Sequence, residues 1–263
     1  KPFFLYVPFN APHYPMHAPQ EYMDRFADLP WDRQVMAAMI SAVDDAIAKI
    51  KDELERLNLT ENTLSVFTSD NGPSRESRNW LDGSQDPYYG GTSGGLKGHK
   101  FSLFDGGVKE PAIMHWPARI PEGQVIDQSC ASMDIVPTVL DAIGVDASQY
   151  EIDGTSLLSH VVDGDDLEER AIFWEMDAQT AVRRGKWKLV LNGQLVESGD
   201  PVVEVHLSDV ESDPSESVNL VDSEPEIAAE LKKLAEDWRA GIVKRWEEQY
   251  ADSDHEYVAH GMV

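Results

Sequence analysis

Cysteine is nearly absent: Cys130 stands alone among 263 residues, so the chain can form no internal disulfide and no all-thiolate zinc cluster. Long apolar runs are missing too. No stretch approaches the roughly 18 consecutive apolar residues of a spanning helix, and the first residues lack the charged-then-apolar pattern of a signal peptide. Basic side chains are scarce, with 22 Lys and Arg against 48 Asp and Glu for a formal net charge of −26. Such a surface repels phosphate backbones and anionic headgroups, which argues against nucleic acid and membrane as partners. What is present is core-forming material. Hydrophobic residues make up 41% of the chain, with 7 Trp, 8 Tyr and 8 Phe, enough apolar surface to exclude wholesale disorder.

The chain starts at Lys1, and Phe3 to Phe9 follow at once as an apolar run of the kind found in interior parallel strands. That opening suggests either a portion of a longer protein or a processed terminus just ahead of the first strand. From Trp31 to Leu57, apolar residues recur at three- and four-residue steps, predicting a long helix with one buried face. Leu64 to Thr68 read as a second strand, broken by Ser69-Asp70-Asn71-Gly72-Pro73. Strand, helix and strand in this order predict parallel pairing, and ligand groups are then expected in the loops after Phe9 and after Thr68. Residues 72–98 read as a long binding loop or an insert, Pro111 to Trp116 as a third strand, and Met133 to Ile143 as a short helix. After Gly154 the pattern becomes short strand-like runs at 171–176, 180–192 and 202–208, which suit an antiparallel meander. Glu224-Pro225-Glu226 then opens a terminal helix striped by Ile227, Leu231, Leu234, Trp238, Ile242 and Trp246. The expected fold is therefore α/β: a mostly parallel sheet flanked by helices in residues 1–165, followed in residues 166–263 by a small antiparallel sheet and the C-terminal helix.

Three segments carry candidate chemistry. In Asn10-Ala11-Pro12-His13-Tyr14-Pro15 two prolines restrict the backbone around an imidazole, which suits acid-base work or anion binding as well as simple packing. Asp70-Asn71 sets a carboxylate beside an amide oxygen at a strand end. Hard oxygens suit calcium or magnesium, yet calcium takes about 6 to 8 of them, and Asx residues also occur in turns for conformational reasons. Finally, Lys97-Gly98-His99-Lys100 is a local positive patch in an acidic chain, either a grip for an anionic oxygen or a solvated turn.

Taken in order, these segments resemble the second half of a type I sulfatase of the alkaline-phosphatase-like superfamily. Pro-His-Tyr-Pro after the first strand, Ser-Asp-Asn-Gly after the second, and Lys-Gly-His-Lys leading into Phe-Asp-Gly-Gly-Val-Lys-Glu-Pro carry the likeness. Asp134 to Leu140, Asp153 to Leu158, Ala181 to Leu189 and Asp213 to Leu220 extend it to nearly the whole chain. The resemblance implies hydrolysis of sulfate esters of a small molecule or glycan. It places Asp70 and Asn71 among calcium ligands, His13 at the scissile oxygen and Lys100 on the sulfate, with Lys97 as a rival for that role.

The family's nucleophile, a formylglycine made from a Cys/Ser-x-Pro-Ser-Arg motif, belongs to an N-terminal half outside these residues. Cys130-Ala131-Ser132-Met133 lacks the proline and arginine, and Pro73-Ser74-Arg75 has Asn71 where the nucleophile would stand. The chain is thus expected to be inactive alone and to bind metal weakly. A phosphate or phosphonate ester hydrolase of the same superfamily and a nucleophile-free binder of sulfated glycans are the alternatives. The resemblance further implies a periplasmic or extracellular location, and exposed sheet edges offer a route to homo-oligomers.

Overall fold

The periodic apolar stretch forms the expected helix in the computed structural model, which describes residues 1–75, 90–197 and 199–250. A one-turn α1 (Gln20–Asp24) precedes the long α2 (Trp31–Arg56). Asp32 in the first turn and Arg56 in the last suit the helix dipole. Val35 and Met39 bury one face of α2 against Met16, with Ala11, Tyr14 and Met23 packed around them. The loop that carries His13 is thereby seated on α2.

The expected opening strand is not formed. Residues 1–10 have no regular structure, and Phe4 is 81% and Tyr6 77% exposed. An apolar run becomes an interior strand only when neighbouring strands and helices cover it, and no described strand pairs with this one. The second expected strand, β1 (Ser65–Thr68), pairs antiparallel with β2 (Ala112–His115), which follows the single turn α3 (Asp105–Val108). The register runs from Ser65 opposite His115 to Thr68 opposite Ala112. Both sheets among the described residues are antiparallel, which corrects the expectation of a mostly parallel sheet.

The helices α4 (Ile135–Ala142) and α5 (Leu158–Asp163) are tied together by Asp134, which is fully buried. Its carboxylate accepts the backbone N–H of Ala131 at 2.8 Å and of Thr155 at 2.9 Å, and it pairs with Arg170. A Cβ on Gly154 would lie 2.1 Å from the Met133 carbonyl oxygen, so this approach requires glycine. Two of the recognisable sequence motifs therefore hold the chain together.

The meander forms as expected, in the order β3 (Ala171–Met176), β4 (Gln179–Arg184), β5 (Trp187–Gly193) and β6 (Val203–Asp209). The run read as one segment at 180–192 is two strands, because Gly185, with φ 56, turns the chain between Arg184 and Trp187. The terminal helix α6 (Pro225–Tyr250) covers one face of this sheet. Val182, Leu189 and Leu207 meet Ala228, Leu231 and Ala235 there, and the two alanines let the helix approach closely. Phe173 stacks on Trp238 at 5.1 Å, and Arg239 donates to the Gln179 carbonyl and the Thr180 hydroxyl. On the opposite face, Leu103 and Phe104 pack on Ala181 and Val190. The sheet is thus sandwiched between α6 and the loop that carries the lysines.

Candidate functional site

Three loops meet at the candidate site. Lys100 Nζ lies 3.1 Å from His13 Nε2. An ammonium group can only donate, so His13 Nε2 is the acceptor, and His13 Nδ1 at 3.3 Å from the Tyr14 carbonyl is then the protonated ring nitrogen. The proton between the two side chains belongs to Lys100. His13 is exposed and Lys100 half-buried, so the pair faces solvent.

The Asp70–Asn71 turn is tied to the same loop. The Lys100 backbone N–H donates to the Pro73 carbonyl at 3.0 Å, and the Gly72 N–H to the Gly107 carbonyl at 3.0 Å. Gly72 is needed at that crossing, since an added Cβ would stand 2.0 Å from the Gly106 carbonyl oxygen. Asp70 Oδ1 accepts the Asn71 N–H at 3.0 Å, and Asn71 Nδ2 donates to the Gly72 carbonyl at 3.0 Å. These bonds fix both side chains and leave the Asn71 side-chain oxygen as an acceptor. Hard oxygens of this kind suit calcium or magnesium. No group of three or more His, Cys, Asp or Glu able to hold a metal ion occurs among the described residues, and Asp70 and Asn71 offer two oxygens where calcium takes about 6 to 8.

Lys97 is directed elsewhere. Its ammonium donates to the Glu216 carbonyl at 3.1 Å and sits 4.3 Å from the centroid of the Phe104 ring. Burial lowers its pKa, against the opposing pull of Glu216 and Asp213. Of the two lysines in the patch, Lys100 is the one joined to His13.

Sequence reasoning overlooked Glu110. Burial, and then the charge of Asp70, push its carboxyl up to about 7. Its signal was its place after the Asp-Gly-Gly turn, in Val108-Lys109-Glu110-Pro111. Trp80, Tyr88 and Tyr89, aromatic residues of the expected binding loop that could stack on a sugar or aryl ring, lie outside the described residues. Cys130 is a free, exposed thiol. Two shallow clefts, of about 180 Å³ beside α2 and about 500 Å³ beneath α6, are lined by none of His13, Asp70, Asn71 and Lys100. No described helix is long and apolar enough to cross a membrane.

These loops fall within residues that match a known family. The sequence model of the Sulfatase family matches residues 1–145, and a second, described as N-sulphoglucosamine sulphohydrolase, C-terminal, matches residues 98–241. The chain belongs to the sulfatase family. It is 33% identical over 189 residues to canine (Canis lupus familiaris) N-acetylgalactosamine-6-sulfatase, covering 72% of this chain and 34% of that protein. To human (Homo sapiens) arylsulfatase A it is 29% identical over 260 residues, covering 89% of this chain and 48% of that protein. The crystal structure of Ps i-CgsB superposes with a TM-score of 0.73 at 27% identity, covering 90% of this chain and 50% of that one. The same protein is known in complex with k-i-k-neocarrahexaose, with a TM-score of 0.70. The chain therefore spans between a third and a half of the length of these relatives.

Proposed function

We propose that this chain is the carboxy-terminal part of a sulfatase domain that hydrolyses sulfate esters of glycans, contributing anion-binding and metal-binding groups but no nucleophile. The observation that carries this reading is the 3.1 Å contact between Lys100 Nζ and His13 Nε2 beside the Asp70–Asn71 turn, in a chain of this family. The lysine and histidine together present one positive charge and one transferable proton. The ammonium of Lys100 suits a nonbridging sulfate oxygen, and its proton can pass through His13 Nε2 to the leaving alkoxide, which leaves the lysine neutral as the alkoxide's charge is quenched. Asp70 and Asn71 would hold a calcium or magnesium ion, which polarises the ester's oxygens when bound. A glycan ester is favoured by the oligosaccharide complex of the related i-CgsB structure.

The test combines the upstream coding sequence with an assay. An open frame before Lys1 that encodes Cys/Ser-x-Pro-Ser-Arg is expected, and its full product should turn over an aryl sulfate. The 263-residue chain alone should not, and His13→Ala or Lys100→Ala in the full product should lower kcat/KM at least a hundredfold. Sulfate hydrolysis by the 263-residue chain, lost in His13→Ala, would overturn the claim that the nucleophile lies elsewhere. A full product that prefers phosphate or phosphonate esters would overturn the sulfate assignment.

A further inference from the structure

Lys188 is the second residue of β5, a position where a lysine would ordinarily face water. It is instead 1% exposed, on the sheet face covered by the loop of residues 97–108. Its ammonium is 2.5 Å from Asp105 Oδ1 and 3.4 Å from Glu216 Oε1. Asp105 and Glu216 are also buried. Burying three ionisable groups costs several kcal/mol unless their geometry is well matched, and stability alone does not account for keeping them.

What these groups hold is the site loop. The Asp105 N–H donates to Glu216 Oε2 at 2.6 Å, and Glu216, at φ 48, turns its carbonyl to Lys97. Directly after Asp105, the Gly106 N–H donates to the Lys97 carbonyl at 2.7 Å, and the Gly107 carbonyl receives Gly72. A Cβ on Gly106 would fall 2.2 Å from the Gly98 carbonyl oxygen, so the two arms of the loop touch there. Gln179, at the start of β4, donates to the Phe101 carbonyl at 2.8 Å, and Ser102 donates to the Gln194 carbonyl at 2.6 Å. Lys100 lies between these attachments.

We propose that Lys188 is a positioning residue: through Asp105 and the two glycines it sets where Lys100 meets His13 and where the Asp70–Asn71 turn lies. Its catalytic meaning rests on the sulfatase reading, whereas the brace itself is a claim about geometry. The C-terminal sheet thus acts on the chemistry without touching substrate.

The test uses the 263-residue chain and reads the ring signals of His13 by NMR, assigned through His13→Ala. Lys100→Ala gives the reference displacement for loss of the contact. The double variant Lys188→Met with Asp105→Asn removes the ion pair, and Glu216, which keeps the Asp105 N–H on its Oε2, is then the one buried carboxyl that remains. The double variant is expected to move the His13 signals by at least half the reference displacement, and adding Lys100→Ala to it should produce little further change. Lys188→Arg should keep the signals nearer wild type than the double variant does. Leu231→Ala, which weakens the same sheet from its other face, should leave them in place, and this separates positioning from mere destabilisation. A folded double variant with wild-type His13 signals overturns the proposal. If that variant does not fold, Asp105→Asn alone is judged by the same rule. The readout needs no turnover: a full product that hydrolyses sulfate while His13 is unmoved loses the brace alone, and one that is inactive while His13 moves keeps the brace and loses the sulfatase reading.

Discussion

The two ends of the chain treat their apolar residues in opposite ways. Leu189, Leu207 and Leu231 are fully buried between the C-terminal sheet and α6, while Phe4, Leu5 and Tyr6 are 81%, 61% and 77% exposed. Phe67 and Ile113 on the two-stranded ribbon are exposed as well. A four-stranded antiparallel sheet with a helix on one face and a packed loop on the other closes its own core. A two-stranded ribbon cannot. The loop carrying Lys100 belongs physically to the closed region although it precedes it in sequence, whereas His13 and Asp70 stand on the open one. The candidate site lies at the seam between them.

Breaking the closed region should give the largest effect. Leu231 is fully buried at the centre of the α6 interface, and truncating such a leucine costs about 2 to 5 kcal/mol. Leu231→Ala is therefore expected to lower the urea midpoint sharply, followed by circular dichroism. A loss below about 0.5 kcal/mol, the size typical of surface positions, would mean that the C-terminal core is not closed in the way described.

Acid should act on the same region through His206. This side chain is buried against Phe104 at 5.2 Å between ring centroids. Burial, and then the nearby Lys97 ammonium, bring its pKa down to about 4 from an ordinary 6.5. Above about pH 6.5 both folded and unfolded chains hold it neutral. As the pH falls from there toward 4 the unfolded chain takes up a proton that the folded one refuses, and stability declines by as much as roughly 3 kcal/mol. Glu216 works in the opposite sense, since burial raises its pKa and favours the folded state at lower pH. The comparison between wild type and His206→Gln isolates the histidine. The variant should lose less stability than wild type between pH 6.5 and 4, and parallel curves would refute the assignment.

The closed region was also the more legible one. The stripe through Leu231 and Trp238 announces α6, and turn residues mark the meander, although Gly185 was needed to divide β4 from β5. Phe3 to Phe9 misled because a strand is defined by its neighbours, and hydrophobicity says nothing of whether they are present. Residue types at the site could be read, but their directions could not. Lys97 and Lys100 are alike in sequence, and a carbonyl 119 residues away decides which one turns inward. Lys188 reads as an outward polar residue until the loop bearing Leu103 and Phe104 covers its face.

The smallest effect on stability is expected at the open end, and it sharpens the contrast. Phe4 and Tyr6 make little burial in the described fold, so Phe4→Ser with Tyr6→Ser should change the unfolding free energy of the 263-residue chain by no more than about 0.5 kcal/mol. The same substitutions remove two large side chains from an exposed apolar run of the kind that drives association. Light scattering of the chain at rising concentration should therefore show less self-association in the double variant, at nearly unchanged urea midpoint. A loss of several kcal/mol would instead mean that these residues are buried in solution, and the distinction between an open and a closed end would fail at its weakest point.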